Sequence, residues 1–341
     1  MEYRFACVKS DIYQDLWVTK PFEKDAMEIL KSTMMRTPAI GLTLFNTEFI
    51  IVKESSEFPC EVSAFHYKKA NKFNKTNKSN HPFLHEEYHK HLTLSEVSVD
   101  VDSVDWKKYD IVLTINACIP DRIIKANPSI LWCYWNGENK TEYINKPLGL
   151  YDVVLNQDVT DKQHSKSVGF PYTFVSEDIL ERMLGGLTKH GIYMEINNCR
   201  ERPVSAETPL FSKISAALAQ PIILHSQDIL ENLKRVCRAK YFLKIEGRKL
   251  RGNSVLESIS CGTLVLANKE MITYSDLICE ECNVVTAEDV IKKILHLESS
   301  PLLYSELVKK QRNILQTLYF QGPISNLVSK YKTKQLQLLS S

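Results

Sequence analysis

Charged and small polar residues between positions 246 and 257 form the segment of this sequence best suited to chemistry. The candidates are Glu246, Arg248, Lys249, Arg251, Gly252, Asn253, Ser254 and Glu257. Arginine can grip phosphate oxygens with two hydrogen bonds, and a helix N-terminus offers unpaired N–H groups to an anion. A carboxylate about one turn into the helix, Glu257, can accept hydrogen bonds from two ribose hydroxyls. The segment therefore predicts a site for a nucleoside diphosphate.

The residues around this segment predict the elements that would position it. Residues 240–245 have the pattern of a buried strand, residues 253–260 that of a helix, and residues 263–267 that of a second strand. In open parallel sheets, ligands bind beyond the carboxyl ends of the strands, beside helix N-termini. The basic loop occupies that position in the predicted order of elements.

The same alternation of strands and helices runs through most of the chain and predicts an α/β fold. Short apolar runs rich in β-branched and aromatic residues are typical of strands buried on both faces of a parallel sheet. Further runs of this kind occupy residues 109–115, 130–134, 151–155, 191–196, 222–225 and 283–286. Helical patterns occupy residues 209–218, 228–238, 287–297 and most of 302–341. Near the N-terminus, residues 40–45 and 49–52 predict a hairpin that turns at Asn46-Thr47.

The length of 341 residues favours two domains. Gly169-Phe170-Pro171 and the pair Gly185-Gly186 indicate a connection between them. We predict a first Rossmann-like domain at residues 1–172, a linker at 173–190, a second Rossmann-like domain at 191–322 and a C-terminal helix at 323–341.

Residues 240–270 resemble the donor-binding segment of GT-B glycosyltransferases. In that family a strand leads into a helix with the pattern N-S-x-x-E, followed by a glycine before the next strand. The pattern appears here as Asn253-Ser254-Val255-Leu256-Glu257 and Gly262. The segment is also similar to exostosin-like transferases and to sugar transferases of large DNA viruses. The resemblance implies two Rossmann-like domains that face a cleft, the first binding a glycan acceptor and the second a nucleotide sugar.

The resemblance also implies roles for individual residues. Glu257 takes the position of the family's ribose-binding glutamate, and Arg248 or Arg251 that of its phosphate-binding residue. Arg200, just past the predicted strand 191–196, is a further phosphate-binding candidate. Many retaining members carry a second glutamate eight residues before the ribose-binding one. The nearest upstream glutamate here is Glu246, which lies farther away and departs from the retaining pattern. The similarity to exostosin-like and large-DNA-virus transferases implies an inverting reaction.

An inverting transfer needs a base that deprotonates the acceptor hydroxyl and positive charge that stabilises the leaving diphosphate. Asp121 and Glu138 follow predicted strands of the first domain and are the candidate bases, although Asp121 also suits the start of a helix. UDP is the nucleotide that the resemblance implies. Arginine and helix-dipole charge can neutralise the diphosphate, so we expect no cofactor and no obligatory metal. Asp100-Val-Asp102 is the only Asp-x-Asp triplet of the sequence, and it does not follow a predicted strand as a metal-binding triplet would.

Three other functions remain open at this stage. The run YFLKIE can also be aligned with fucosyltransferases that use GDP-fucose, and a transferase fold can persist in a non-catalytic nucleotide-sugar-binding protein. His85-Glu86-Glu87-Tyr88-His89 matches the H-E-x-x-H pattern of zinc peptidases, but it lies in a polar stretch with little apolar support.

Two further features bear on these functions. His225, at the end of the predicted strand 222–225, could contact the nucleobase of a bound nucleotide. The single C-x-x-C pair, Cys279 and Cys282, matches neither a zinc ribbon nor a thioredoxin-like context.

Bulk composition excludes several classes of protein. With 43 basic and 41 acidic side chains the net charge is +2, which gives no electrostatic case for nucleic-acid binding. The nine cysteines lack the spacing of a disulfide framework and indicate a reducing compartment. No apolar run reaches the length of a membrane span, and the N-terminus lacks the pattern of a signal peptide. We therefore expect a cytoplasmic protein.

Overall fold

The structure is a computed structural model that describes residues 3–10, 47–59, 98–115, 117–136, 148–156, 167–169, 187–194, 209–225, 229–247, 249 and 254–340. The chain divides into two compact units. The first unit comprises Met1–Ser176 together with Phe320–Ser341, and the second comprises Glu177–Tyr319.

The first unit is built on a six-stranded parallel sheet. Its strands are β1 (Phe5–Ser10), β2 (Thr47–Val52), β3 (Ile111–Ile115), β4 (Leu131–Asn136), β5 (Val153–Asn156) and β6 (Ser167–Gly169). They lie in the order β2-β1-β3-β4-β5-β6, and every pair is parallel. The chain thus builds outward from β1 first to one side and then to the other, which is the doubly wound arrangement.

Apolar side chains on both faces hold this sheet in place. In β4, Trp132, Cys133, Tyr134 and Trp135 are all buried, because neighbouring layers cover the sheet on both sides.

The hairpin predicted to turn at Asn46-Thr47 is wrong, because the strand that follows is paired in parallel. Thr47 lies inside β2 rather than in a turn, and β2 pairs in parallel with β1. Residues 40–45 lie outside the described residues.

Two helices of the first unit are described, α1 (Asp121–Ala126) and a C-terminal helix. The C-terminal helix, α7 (Gly322–Ser340), contacts residues that precede strands of the sheet. Tyr331 donates to Asp110 at 2.7 Å, and Lys334 donates to the Ile130 carbonyl at 2.8 Å and to Asp152 at 2.7 Å. The C-terminal helix therefore covers the amino ends of β3, β4 and β5.

The second unit is built on a four-stranded parallel sheet with the order β10-β9-β7-β8. Its strands are β7 (Ile192–Met194), β8 (Ile222–Leu224), β9 (Tyr241–Lys244) and β10 (Leu264–Ala267). The α-helices described in this unit are α2 (Pro209–Ala217), α3 (Ile229–Arg238), α4 (Ser254–Ser260), α5 (Ala287–Ser299) and α6 (Pro301–Ile314), and the π-helical segment Leu315–Gln321 leads from α6 to α7. Starting from β7, this sheet repeats the strand order of the first unit.

Glycine is required at two turns of the second unit. Gly191 enters β7 at φ +74°, and a Cβ there would lie 2.6 Å from the Pro221 carbonyl oxygen. Gly262 ends α4 at φ +75°. The Gly262 N–H donates to Ile259 at 2.9 Å and the Thr263 N–H to Ser258 at 2.8 Å, which is a Schellman motif. This motif turns the chain from α4 directly into β10.

A side chain covers the free edge of the second sheet. Gln311 of α6 is 1% exposed and makes two hydrogen bonds to the backbone of Val265 in β10. Its amide donates to the Val265 carbonyl at 2.8 Å, and its carbonyl oxygen accepts from the Val265 N–H at 3.0 Å. The glutamine thus replaces a neighbouring strand, because an uncovered edge would leave these backbone groups without partners.

One disulfide joins two helical regions of the second unit. Cys237 in α3 bonds to Cys261, just after α4, with their Cα atoms 5.2 Å apart. This pairing was not predicted from the sequence, because contact between residues 24 positions apart depends on how α3 and α4 pack together. Among the described cysteines, Cys7, Cys118, Cys133, Cys279 and Cys282 are free thiols.

The predicted α/β class is confirmed, with two parallel doubly wound sheets. Each strand predicted between residues 109 and 267 is present, with ends shifted by up to two residues. The predicted strand 283–286 is wrong, because Asn283 forms only a single bridge with Ala267. Within the described part of the chain, no helix combines the length and apolar character that crossing a membrane requires.

Candidate functional site

The second sheet has its topological switch point between β7 and β9. From β7 the chain continues to β8 on one side, and it later returns to β9 on the other. At such a point, the loops beyond the carboxyl ends of the two strands diverge and leave room for a ligand. The segment that follows β9, residues 245–253, is the basic segment that the sequence pattern singled out. Topology and sequence pattern therefore point to the same place.

Four of the predicted donor-binding residues lie within the described part of this region. Glu246 is half-buried just beyond β9, Lys249 is exposed, and Ser254 and Glu257 belong to α4. Arg248, Arg251, Gly252, Asn253 and Arg200 lie outside the described residues. The roles assigned to all of these residues remain predictions.

Glu257 is a buried carboxylate at the site. It lies in the first turn of α4 and is 8% exposed, whereas most glutamates in proteins lie in solvent. The helix is short but well anchored. The Ser258 hydroxyl donates to the Ser254 carbonyl at 2.5 Å, and the Schellman motif fixes the other end. Because α4 has only two turns, positive charge at this edge must come mainly from side chains.

Lys244 is a charged residue at this edge that the sequence reasoning overlooked. It is the last residue of β9 and is 1% exposed. Alternation along the strand places it on the same face as Phe242, which stacks on Tyr193 with ring centroids 5.3 Å apart. A buried ammonium is costly unless negative groups compensate it. The sequence feature that could have identified Lys244 is a lysine at the end of a strand that otherwise consists of apolar residues.

A hydrogen-bonded chain of three side chains lies at the carboxyl ends of β7 and β8. The Tyr193 hydroxyl donates to Asn232 of α3 at 2.9 Å and lies 2.8 Å from Nδ1 of His225. Tyr193 is fully buried, whereas His225, directly after β8, is exposed. The buried tyrosine fixes the direction of an imidazole at the same sheet edge. Contact of His225 with a nucleobase remains a prediction.

In the first unit, Asp121 follows the carboxyl end of β3. It is the first residue of α1 and is exposed. The loop before it is held by Tyr151, whose hydroxyl accepts from the Ile119 N–H at 2.8 Å. Burial raises the pKa of Tyr151 well above its ordinary value, so the hydroxyl stays neutral. Glu138, the other candidate base, lies outside the described residues.

In the triplet Asp100-Val-Asp102, the carboxylate of Asp102 is engaged by the guanidinium of Arg122. Arg122 forms an ion pair with Asp102 and a second one with Glu57 at 2.5 Å. The hydrogen bond from Arg122 lowers the pKa of Asp102 below its ordinary value. Among the described residues, no group of three or more histidines, cysteines or acids is arranged to hold a metal ion. The H-E-x-x-H segment, His85 to His89, lies outside them.

Comparisons with known proteins give weak likenesses. No protein-family model and no curated protein matches the chain. T4 phage β-glucosyltransferase is 12% identical with a TM-score of 0.36, covering 97% of this chain and 98% of that one. A Rickettsia africae glycosyltransferase is 12% identical with a TM-score of 0.41 (98% and 99% covered), and the Candida albicans trehalose-6-phosphate phosphatase N-terminal domain is 10% identical with 0.48 (98% and 97%). With TM-scores below 0.5, these likenesses do not establish what this chain does.

Proposed function

We propose that this protein is a GT-B glycosyltransferase that binds a UDP-sugar through its second unit. The observation that carries the proposal is the buried carboxylate of Glu257, one turn into the helix that follows the switch-point loop. The residues of this segment resemble the GT-B donor-binding pattern, and the topology of the unit independently favours a ligand at the same edge.

The chemical groups at this edge suit the two parts of a nucleoside diphosphate. A ribose presents two neighbouring hydroxyls, which a single carboxylate can accept as paired hydrogen bonds, and we assign this role to Glu257. The diphosphate needs positive charge, for which Lys244 is the described cation at the end of β9. We assign further phosphate contacts to Arg248, Lys249, Arg251 and Arg200, and backbone contacts to the segment Gly252–Ser254.

We propose an inverting transfer to a glycan or another hydroxyl acceptor. A base removes the proton of the acceptor hydroxyl, and that oxygen forms a bond to the anomeric carbon of the sugar. The bond from the anomeric carbon to the diphosphate breaks, and UDP leaves with the electron pair, stabilised by the cations. We assign the role of the base to Asp121 or Glu138. We propose that arginine and lysine side chains neutralise the diphosphate, as a metal ion does in other transferases.

The test is ligand-induced thermal stabilisation of the full chain. A ligand that binds only the folded protein raises its Tm. We expect UDP and a UDP-sugar to raise Tm and Glu257→Gln to remove most of that rise. Hydrogen bonds to a charged group contribute about 1.5–3 kcal/mol each, so UDP should bind about 100-fold more weakly. Glu270→Gln, an exposed glutamate of the same unit, should keep the full response.

The remaining alternatives predict different results in this assay and in assays of turnover. Stabilisation by GDP but not by UDP would favour a fucosyltransferase. Stabilisation by UDP-sugars without transfer or donor hydrolysis would favour a non-catalytic binding protein, and peptide cleavage that a chelator abolishes would favour a zinc peptidase. The proposal fails if neither nucleotide raises Tm, or if Glu257→Gln responds to UDP as the unsubstituted protein does.

A further inference from the structure

Cys279 and Cys282 are adjacent free thiols in the second unit. Their Sγ atoms are 3.3 Å apart and hydrogen-bonded. Cys279 precedes the 3-10 turn Glu280–Cys282 and Cys282 ends it, and the Cys282 N–H donates to the Cys279 carbonyl at 2.8 Å. The turn therefore already holds the two sulfur atoms at a separation from which a bond can form with little backbone movement.

The two thiols differ in exposure and in acidity. Cys279 is 7% exposed and Cys282 is not exposed, so an external reagent meets Cys279 first. The hydrogen bond with Cys282 lowers the pKa of Cys279, and the ammonium of Lys310 acts in the same direction. The hydrogen bond with Cys279, together with burial, raises the pKa of Cys282. Since the thiolate is the reactive form, Cys279 is the better nucleophile of the pair.

An ion pair with Glu281 keeps the ammonium of Lys310 close to this turn. Its Nζ lies 2.8 and 3.0 Å from the two carboxylate oxygens of Glu281, which lies between the cysteines. The turn is also anchored at its end, where Asn283 bridges Ala267 of β10 and accepts a hydrogen bond from the Lys269 N–H at 3.2 Å. The dithiol therefore belongs to an ordered structure rather than to an unanchored loop.

The other free thiols that the structure describes lie in different surroundings. Cys7, Cys118 and Cys133 are buried in the first unit at exposures of 3% or less. Burial raises the pKa of Cys7 to about 12 and that of Cys133 well above its ordinary value. Thiols of this kind are inert toward external reagents. They provide internal controls for the reactivity of Cys279.

We propose that Cys279 and Cys282 form a reversible dithiol–disulfide couple that exchanges with small-molecule disulfides. The Cys279 thiolate attacks one sulfur of the external disulfide, forming a mixed disulfide and releasing one thiolate, which takes up a proton. Cys282 then loses its proton to solvent and attacks the Cys279 sulfur, releasing the second thiol. The protein pair loses two electrons, and the external disulfide is reduced to two thiols.

The test is to treat the native chain with oxidised glutathione and map its tryptic peptides by mass spectrometry. Cleavage after Lys269 and Lys292 gives the peptide Glu270–Lys292, whose only cysteines are Cys279 and Cys282. We expect this peptide to lose two hydrogens without retaining glutathione, and dithiothreitol to restore them. The peptides that carry Cys7, Cys118 and Cys133 should stay reduced. Retained glutathione as the end product, or an unchanged peptide 270–292, would overturn the proposal.

Single substitutions separate the attacking thiol from the resolving thiol. In Cys282→Ser we expect glutathione to remain on Cys279, and in Cys279→Ser we expect Cys282 to react about tenfold more slowly or not at all. Equal trapping in both variants would exclude the assigned roles.

Alkylation of the reduced, unsubstituted protein tests the order of reactivity of the two thiols without any variant. Iodoacetamide should modify Cys279 before Cys282, and equal rates would contradict the assignment.

Discussion

The four strands of the second unit repeat the order of the first four strands of the first unit, but the two units carry different groups at the carboxyl ends of their strands. In the second unit this edge carries a buried cation, Lys244, a half-buried Glu246 and the buried carboxylate of Glu257. In the first unit, the edge beside β3 is an ordered loop held by the neutral hydroxyl of Tyr151 and followed by the exposed Asp121. Among the described residues, the edge of the second unit has charged side chains of both signs inside the protein, and the edge beside β3 has the exposed carboxylate of Asp121 after an anchored loop.

This difference suggests a division of labour within the proposed transferase. Binding a nucleoside diphosphate requires several charged contacts, and the second unit has the groups for them. General-base catalysis requires one carboxylate in a defined position, and a loop anchored by a buried hydroxyl can provide it. If the division holds, substitutions in the second unit should change nucleotide affinity, and substitutions at the edge of the first unit should change the rate of transfer.

Asp121→Asn gives the largest effect expected from this comparison. Loss of a general base typically slows a reaction by about 10²–10⁴-fold, so kcat should fall by at least about 100-fold. Stabilisation by UDP should not change, because the proposed nucleotide contacts belong to the second unit. Initial rates of sugar transfer and the UDP-induced rise in Tm measure the two quantities separately.

Two further variants test how specific this effect is. Asp105→Asn removes another exposed carboxylate of the first unit and should leave kcat unchanged. Asp121 also begins α1, where a negative charge stabilises a helix by about 0.3–1 kcal/mol, so a small fall in Tm is expected in either case. A normal kcat in Asp121→Asn together with a low kcat in Glu138→Gln would transfer the role to Glu138.

The units also differ in how they cover an edge strand. Beside β2 in the first unit, backbone groups of Val99 make the contacts, with the Val99 N–H donating to Ile51 and the Lys53 N–H donating to Val99, both at 2.9 Å. Beside β10 in the second unit, the side chain of Gln311 makes both contacts with Val265. Only the second arrangement can be removed by changing one side chain.

Gln311→Leu should therefore destabilise the second unit by about 2–6 kcal/mol. The substitution leaves a buried N–H and a buried C=O without partners, at about 1–3 kcal/mol each. All four tryptophans of the chain fall in the residue ranges of the first unit, so their fluorescence reports on that unit. We expect the urea transition followed by circular dichroism to gain an early phase, while the tryptophan transition stays in place.

The matched variant in the first unit is Val99→Ala, which keeps every backbone hydrogen bond of the edge. It should cost less than about 1 kcal/mol, since Val99 is 39% exposed. Glu306→Ala, at an exposed position of α6, controls for helix propensity. If Gln311→Leu were no worse than these two variants, the side-chain cap of β10 would have no structural importance.

Local sequence patterns predicted the elements better than their partners. Runs such as 130–134 indicated strands correctly because burial on both faces demands continuous apolar residues. Strand β1 was missed because its apolar run, residues 5–8, is only four residues long, and the strand is completed by Lys9 and Ser10, which are polar although buried. The hairpin prediction was wrong because the parallel pairing of β1 with β2 depends on distant chain segments. For the same reason, the roles of Lys244 and Gln311 became visible only once the sheets were assembled.

The last comparison concerns two partly buried lysines, one in each unit. Substituting them should change the free energy of unfolding only modestly, but in opposite directions. Burial lowers the pKa of Lys189 to about 8, with a further contribution from Arg312, although its Nζ donates to the Thr263 hydroxyl at 2.8 Å. Lys334 of the first unit instead forms an ion pair with Asp152 at 2.7 Å. Among the described residues, the ammonium of Lys334 contacts a carboxylate, whereas that of Lys189 contacts a neutral hydroxyl.

Lys189→Met should raise the free energy of unfolding at pH 7 by about 1 kcal/mol. Because the pKa is lower in the folded state, the unfolded state binds more protons between pH 8 and about pH 10.5, and stability should rise with pH across that window. The gain from the substitution should therefore be complete below pH 8 and vanish near pH 10.5.

Lys334→Met should instead destabilise the first unit by about 1–3 kcal/mol at pH 7, since it leaves Asp152 without its ammonium partner. Urea unfolding of both variants at pH 7 and pH 10 measures this contrast. A Lys189→Met effect of the same size at both pH values would mean that the charge of Lys189 does not limit the stability of the second unit.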